Sequence, residues 1–344
     1  MSNKSNSILC DVSFIRPILI VLLVVYHAFI IYRGGWEQPV GFHENTAYWW
    51  IANVSYSFML ETFVFISGYV YAFKTIEKRV DKTFISLVIE KIKRLLIPSI
   101  VFSIIYLVVF NKTSSTVLAT VYSVFNGVGH MWFLPMLFWC FIFVYAVRRI
   151  NIPEHYKVVL LFLVAIISYL PLPFRLDSVM YYFSFFYLGY YIRWKKLFEN
   201  VNIVSLLISW TLFVVLFVSL VPFENYLQQR VVGLESYLVK AFLLSLSLVC
   251  RVLYALIGCL ALFVTSKYVT ACYKLPQWVV KLGTYCFGVY LFQQFILMFL
   301  YYHTNLPLVV GYLWLPWVGF IITIVGSLLL SWLLRSTTIG KKLI

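Results

Sequence analysis

The chain has 344 residues, of which 63% are hydrophobic and 11% charged, and its mean hydropathy is +0.93. Soluble domains carry about 25% charged residues, so a water-soluble fold is excluded, and the long unbroken apolar runs exclude a β-barrel, whose strands alternate. The net charge of +15 does not mark a nucleic-acid binder, because the basic residues lie in loops between apolar runs, which is the positive-inside pattern.

The fold expected is all-α: a polytopic integral membrane protein, one domain over residues 1–344, with about ten transmembrane helices. Spans fall at roughly 13–33, 49–73, 95–110, 130–148, 157–173, 178–193, 203–221, 241–265, 283–302 and 308–334. With these spans, twenty of the 27 Lys and Arg residues lie on the side that holds both termini. They include Lys4, the Lys74–Arg94 loop with Arg79, and Lys341 and Lys342. Five, among them Lys112, lie opposite. That asymmetry predicts cytoplasmic N- and C-termini. The first run is too long for a signal-peptide core and no small-residue cleavage site follows, so it is expected to remain as an anchor. About ten residues follow the last span, and no appended soluble catalytic domain is expected. The six cysteines show no metal-ligand spacing, and no metal is expected.

The first span carries Arg16 and His27, two side chains that do not belong in lipid. Eleven positions place them on one helix face, ~16 Å apart along the axis. Ionisable groups within a membrane face a protein interior or a wet cavity by default. The second span contains one acid, Glu61, a candidate partner for His27 or Arg16, with Arg251 of the eighth span as the alternative. Gly68 lies seven residues later, where a small residue lets another helix approach closely. The loop beyond ends in EKIKRLLIP, and Lys91, Lys93 and Arg94 there could hold the phosphates of a large anionic cosubstrate. The same charges also suit anionic lipid headgroups.

Further along, GHMWFLPMLFWCF places His130 and Trp132 at interfacial depth. An aromatic belt accounts for the tryptophan but does not require the histidine. Gly189 reads as a second close-packing position. Gln293 and Gln294, amides within an apolar run, predict interhelical hydrogen bonds.

Together these stretches resemble the acyltransferase-3 family of membrane acyltransferases. Arg16 and His27 match its Arg-x10-His signature. FVFISGY is similar to its second-span FFxxSG pattern, KIKRLLIP to its basic motif before the third span, and GHMWFLPMLF to its WFL stretch. LGTYCFGVYLFQQF resembles its late Ser-Tyr-x-x-Tyr-Leu-x-His stretch. Three positions depart. The acid usually three or four residues before the arginine stands five before it, as Asp11. The basic Arg-x-x-Arg becomes Lys91-x-x-Arg94, losing one guanidinium fork. The late histidine becomes Gln293.

The resemblance implies transfer of an acyl group, usually acetyl, from an acyl-CoA such as acetyl-CoA to a hydroxyl of a surface glycan or lipid-linked sugar, in a bacterial inner membrane. Under that reading His27 is the general base and Glu61 orients it. Arg16, Lys91, Lys93 and Arg94 hold the donor, and His130 and Trp132, with aromatics near Trp36, Trp49 and Trp50, meet the acceptor. The rival reading is a polysaccharide or solute transporter using an Arg/His/Glu proton relay.

Overall fold

The computed structural model describes residues 9–78, 80, 82–110, 116–338 and 340; Lys4, Arg79, Lys112, Lys341 and Lys342, counted in the charge bias, lie outside them. Every regular element among the described residues is helical. In chain order they are α1 (Cys10–Phe29), α2 (Thr46–Tyr56), α3 (Met59–Ala72), α4 (Phe84–Lys91), α5 (Ile97–Val109), α6 (Val117–Asn126) and α7 (Phe133–Val147). There follow α8 (Glu154–Val164), α9 (Leu176–Trp194), α10 (Ile203–Val231), α11 (Tyr237–Cys272), α12 (Gln277–Tyr302), α13 (Leu306–Val310) and α14 (Leu315–Ser336).

Seven helical stretches among the described residues are long and apolar enough to cross a membrane: Cys10–Arg33, Phe84–Val109, Gly129–Val147, Ile203–Val231, Tyr237–Cys272, Gln277–Tyr302 and Leu315–Ser336. The second, fifth and sixth expected spans are not among them. Residues 49–73 are interrupted between α2 and α3, where Asn53, Ser55 and Ser57 side chains all donate to backbone carbonyls one turn back. Such bonds compete with the helical ladder. Residues 157–173 form the 11-residue α8 and a short 3-10 turn, Ala165–Tyr169. Residues 178–193 lie within α9, whose tyrosines and polar residues lower its hydropathy.

The chain divides into two compact units, one of Met1–Phe63, Phe198–Ser236 and Val249–Leu329, the other of Val64–Leu197, Tyr237–Leu248 and Leu330–Ile344. In the first, α1 and α12 run parallel: Gly283 faces the Ser13 carbonyl, and the Tyr301 hydroxyl donates to the Ala28 carbonyl at 2.8 Å. Helix α14 passes α12 in the opposite sense, with Gly319 set against the Tyr301 ring. Helix α10 is tied to α11 by Trp210 Nε1 donating to Thr265 Oγ1 at 2.9 Å. The N-terminus of α1 is anchored by Asp11, buried, whose Oδ2 meets Lys267 Nζ at 2.8 Å. An acid in the first turn also complements the helix dipole.

In the second unit, α3 crosses α9 through Gly68 and Gly189, the two positions expected to allow close approach. Below the crossing, Arg193 holds Glu77 through both Nε and Nη2, at 2.5 and 2.7 Å, and donates to the Tyr69 hydroxyl at 2.7 Å. Helices α4 and α5 are joined by a π-helical turn, Ile92–Leu96. Pro98, in the first turn of α5, has no N–H for the Arg94 carbonyl and its ring crowds that oxygen; the wider turn relieves both.

Candidate active site

Helix α1 places Arg16 and His27 on one stripe, as their spacing requires. His27 is 8% exposed, and its Nδ1 stands 3.0 Å from the Leu23 carbonyl oxygen. A carbonyl oxygen only accepts, so this contact calls for the proton on Nδ1, which in a neutral ring puts the lone pair on Nε2. A neutral imidazole of either tautomer keeps one basic nitrogen, which is what a general base needs. The orienting group given to Nδ1 is thus a backbone oxygen one turn back, where sequence reasoning offered a carboxylate.

The chain beyond α1 folds back over this imidazole. A 3-10 turn, Ile30–Arg33, is closed by Gly34 at φ +77°. A Cβ on Gly35 would meet the Ile30 side chain at 2.5 Å. This two-glycine corner brings Trp36 to 5.8 Å from His27, ring centre to ring centre. Tyr26 meets the imidazole edge-on at 5.1 Å and stacks on Tyr56 at 4.3 Å. Arg33 and Arg251 flank the Tyr56 ring at 4.8 and 6.0 Å. Sequence reasoning named Trp36 only as an aromatic near the outer approach; it missed Tyr26, Arg33 and Tyr56. The Arg-Gly-Gly-Trp run was the available signal, since glycine past a helix end marks a left-handed cap.

Glu61 is 1% exposed and its Oε1 lies 3.7 Å from Arg251 Nη2. Of the partners the sequence offered for Glu61, the structure thus brings Arg251, the alternative, to it. Nearby, the buried Glu224 of α10 accepts from the Tyr254 hydroxyl at 2.6 Å and from Gln228 Nε2 at 3.0 Å. This acid was not singled out from the sequence.

Arg16 lies within electrostatic reach of Cys286 of α12. On the same helix Gln293 departs from expectation. It is fully buried, and neither its amide nitrogen nor its amide oxygen has a hydrogen-bond partner among the described residues. The expected interhelical bond of Gln293 is therefore not formed.

In the second unit the basic motif is divided. Lys91 is buried, with Nζ 3.8 Å over the Phe141 ring and 3.6 Å from Glu90 Oε1. Lys93 and Arg94 lie on the π turn and are exposed. His130, 5% exposed, and Trp132 share a 3-10 turn, Gly129–Trp132. Gly127 at φ +78° starts that turn, and a Cβ there would stand 2.6 Å from the Met131 carbonyl. Arg175 braces the corner by donating to the Asn126 and Gly127 carbonyls at 2.9 and 3.3 Å. Its guanidinium lies 5.9 Å from the Trp132 ring centre. No cluster of His, Cys, Asp and Glu that could hold a metal ion occurs among the described residues.

The family model described as an acyltransferase domain matches residues 11–336. No match is found among the curated proteins or among the solved structures. The matched segment runs from Asp11, at the base of the Arg16–His27 helix, to the last residue of α14, and the chain belongs to the acyltransferase-3 family.

Proposed function

We propose that the protein is a membrane O-acyltransferase that moves an acyl group, acetyl in the simplest case, from a coenzyme A thioester to a hydroxyl of a cell-surface or lipid-linked polysaccharide. The observation that carries this reading is the buried His27, held through Nδ1 by the Leu23 carbonyl and set on the same helix stripe as Arg16. Nε2 removes the proton from the acceptor hydroxyl as its oxygen attacks the thioester carbonyl carbon. The carbon–sulfur bond breaks, and the thiolate takes the proton back from the imidazolium. Acyl ester and free thiol are the products, and the imidazole is restored.

Trp36, Tyr26 and Tyr56 supply flat apolar faces beside the base, suited to a sugar ring. Arg16 is the guanidinium on the stripe that leads to it, and it attracts the anionic donor. Exposed Lys93 and Arg94 offer further charge for the donor's phosphates. Lys91 contributes mainly by fixing the start of their turn against Phe141. His130 and Trp132 belong to the acceptor side. Glu61 in this reading neutralises Arg251. This reading adds α3, α8 and α9 to the seven long apolar stretches for ten crossings, and takes from the charge bias that both termini lie in the cytoplasm of a bacterial cell.

The test is transfer from labelled acetyl-CoA in purified membranes, with His27→Ala beside the wild type. Loss of transfer at unchanged protein abundance is expected. Glycan acylation that persists in His27→Ala removes the base assignment, and solute flux independent of coenzyme A would favour a transporter.

A further inference from the structure

Gln293 is fully buried, and neither of its two amide polar atoms has a hydrogen-bond partner among the described residues. A buried amide without partners is costly and calls for an explanation. Its position supplies one. Cys286, Gln293, Leu297 and Tyr301 lie within ~80° on α12 at 100° per residue. Gly283, on the same stripe, faces the Ser13 carbonyl, which sets Cys286 level with Arg16, and Tyr301 bonds the Ala28 carbonyl, so this stripe faces α1. Gln293 is seven residues beyond Cys286, ~10 Å along the axis, whereas His27 is ~16 Å beyond Arg16. The amide therefore sits between the levels of the guanidinium and the imidazole, nearer the imidazole.

The seam has a second feature of the same kind. Pro17 lies inside α1 and withholds from the Ser13 carbonyl its usual helical hydrogen bond. Gly283 faces that carbonyl across the seam. From the Cys10 end upward, the α1–α12 seam thus offers a carbonyl oxygen, a guanidinium, a complete carboxamide and then the base.

We propose that this seam takes the amide-bearing arm of the acyl donor, with the Gln293 carboxamide pairing with one of its secondary amides. The inference rests on the acyl-CoA reading above. A primary carboxamide both donates and accepts, which is the complement of a –CO–NH– group. In a pantetheine thioester the first such group is only two methylenes from the sulfur. A contact a short way below His27 then holds the thioester carbon at the base.

The test compares Gln293→Leu and Gln293→Met with the wild type, using displacement of labelled coenzyme A. Competitors are unlabelled coenzyme A and its headgroup, adenosine 3′,5′-bisphosphate, which lacks the arm. Loss of one hydrogen bond predicts affinity for coenzyme A about tenfold weaker, with headgroup affinity unchanged. The apo variants should melt no lower than the wild type, because an unsatisfied amide has been removed. Variants that bind coenzyme A as the wild type does, that lose both ligands equally, or that melt lower would overturn the inference while leaving the acyltransferase reading intact. A wild-type protein that binds no coenzyme A would remove both.

Discussion

Gly68 of α3 and Gly189 of α9 each stand where the other helix's backbone passes. A Cβ on Gly68 would lie 1.9 Å from the Phe186 carbonyl oxygen, and one on Gly189 would lie 2.0 Å from that of Phe65. Backbone cannot swing aside as a flexible side chain can. Gly68→Ala or Gly189→Ala is therefore expected to separate the two helices, at a cost of about 3 kcal/mol or more. A lower melting temperature and reduced yield in detergent are the readouts, and a wild-type melt in either variant would refute the crossing.

His27→Ala should reduce the chemical step by ~10²–10⁴-fold. His27→Gln keeps much of the volume without a base of comparable strength, and is expected to lose activity equally while melting like the wild type. Recovery of transfer in His27→Gln would show that the position matters for packing and not for proton transfer.

The Glu61–Arg251 pair predicts unequal single variants. Arg251→Met leaves the Glu61 carboxylate, which is almost fully buried, beside an apolar chain, at up to ~3–5 kcal/mol. Glu61→Gln leaves a guanidinium whose side chain is 32% exposed, and should cost less. In the double variant Glu61→Gln/Arg251→Met much of the Arg251→Met loss should return. Additive losses in that cycle would mean the two groups are not coupled.

Gly34 has open space around it, so Gly34→Ala meets no clash and pays only for a left-handed backbone, ~1 kcal/mol. Its predicted effect is to loosen the return of Trp36 toward His27. Trp36→Leu should act more strongly in the same direction. Both should raise the KM for the acceptor and leave the KM for the acyl donor near its wild-type value. A change in the donor term alone would place Trp36 on the wrong substrate.

Much of this was legible in the sequence because apolar length and a fixed helical period are strong signals. The Arg16–His27 stripe, the two close-packing glycines and the long spans follow from those alone. The break between Tyr56 and Met59 was hidden, because three small polar residues that bond their own backbone look apolar enough in a running average. The π turn at Ile92–Leu96 was hidden too, since the proline that causes it also reads as an ordinary helix start. Partner choice was the least legible. Glu61 meets Arg251, and His27 meets a main-chain oxygen, through distances that depend on how helices are rotated about their axes.

The Leu23 carbonyl that holds His27 belongs to the main chain. It has no pKa in the working range, so acidification cannot discharge it as it would a carboxylate partner. No substitution at position 23 deletes it, provided the helix persists. The imidazole's alignment is in this sense inherited from the helical repeat itself, and the identity of residue 23 is left free to drift among apolar types without disturbing the chemistry four residues on.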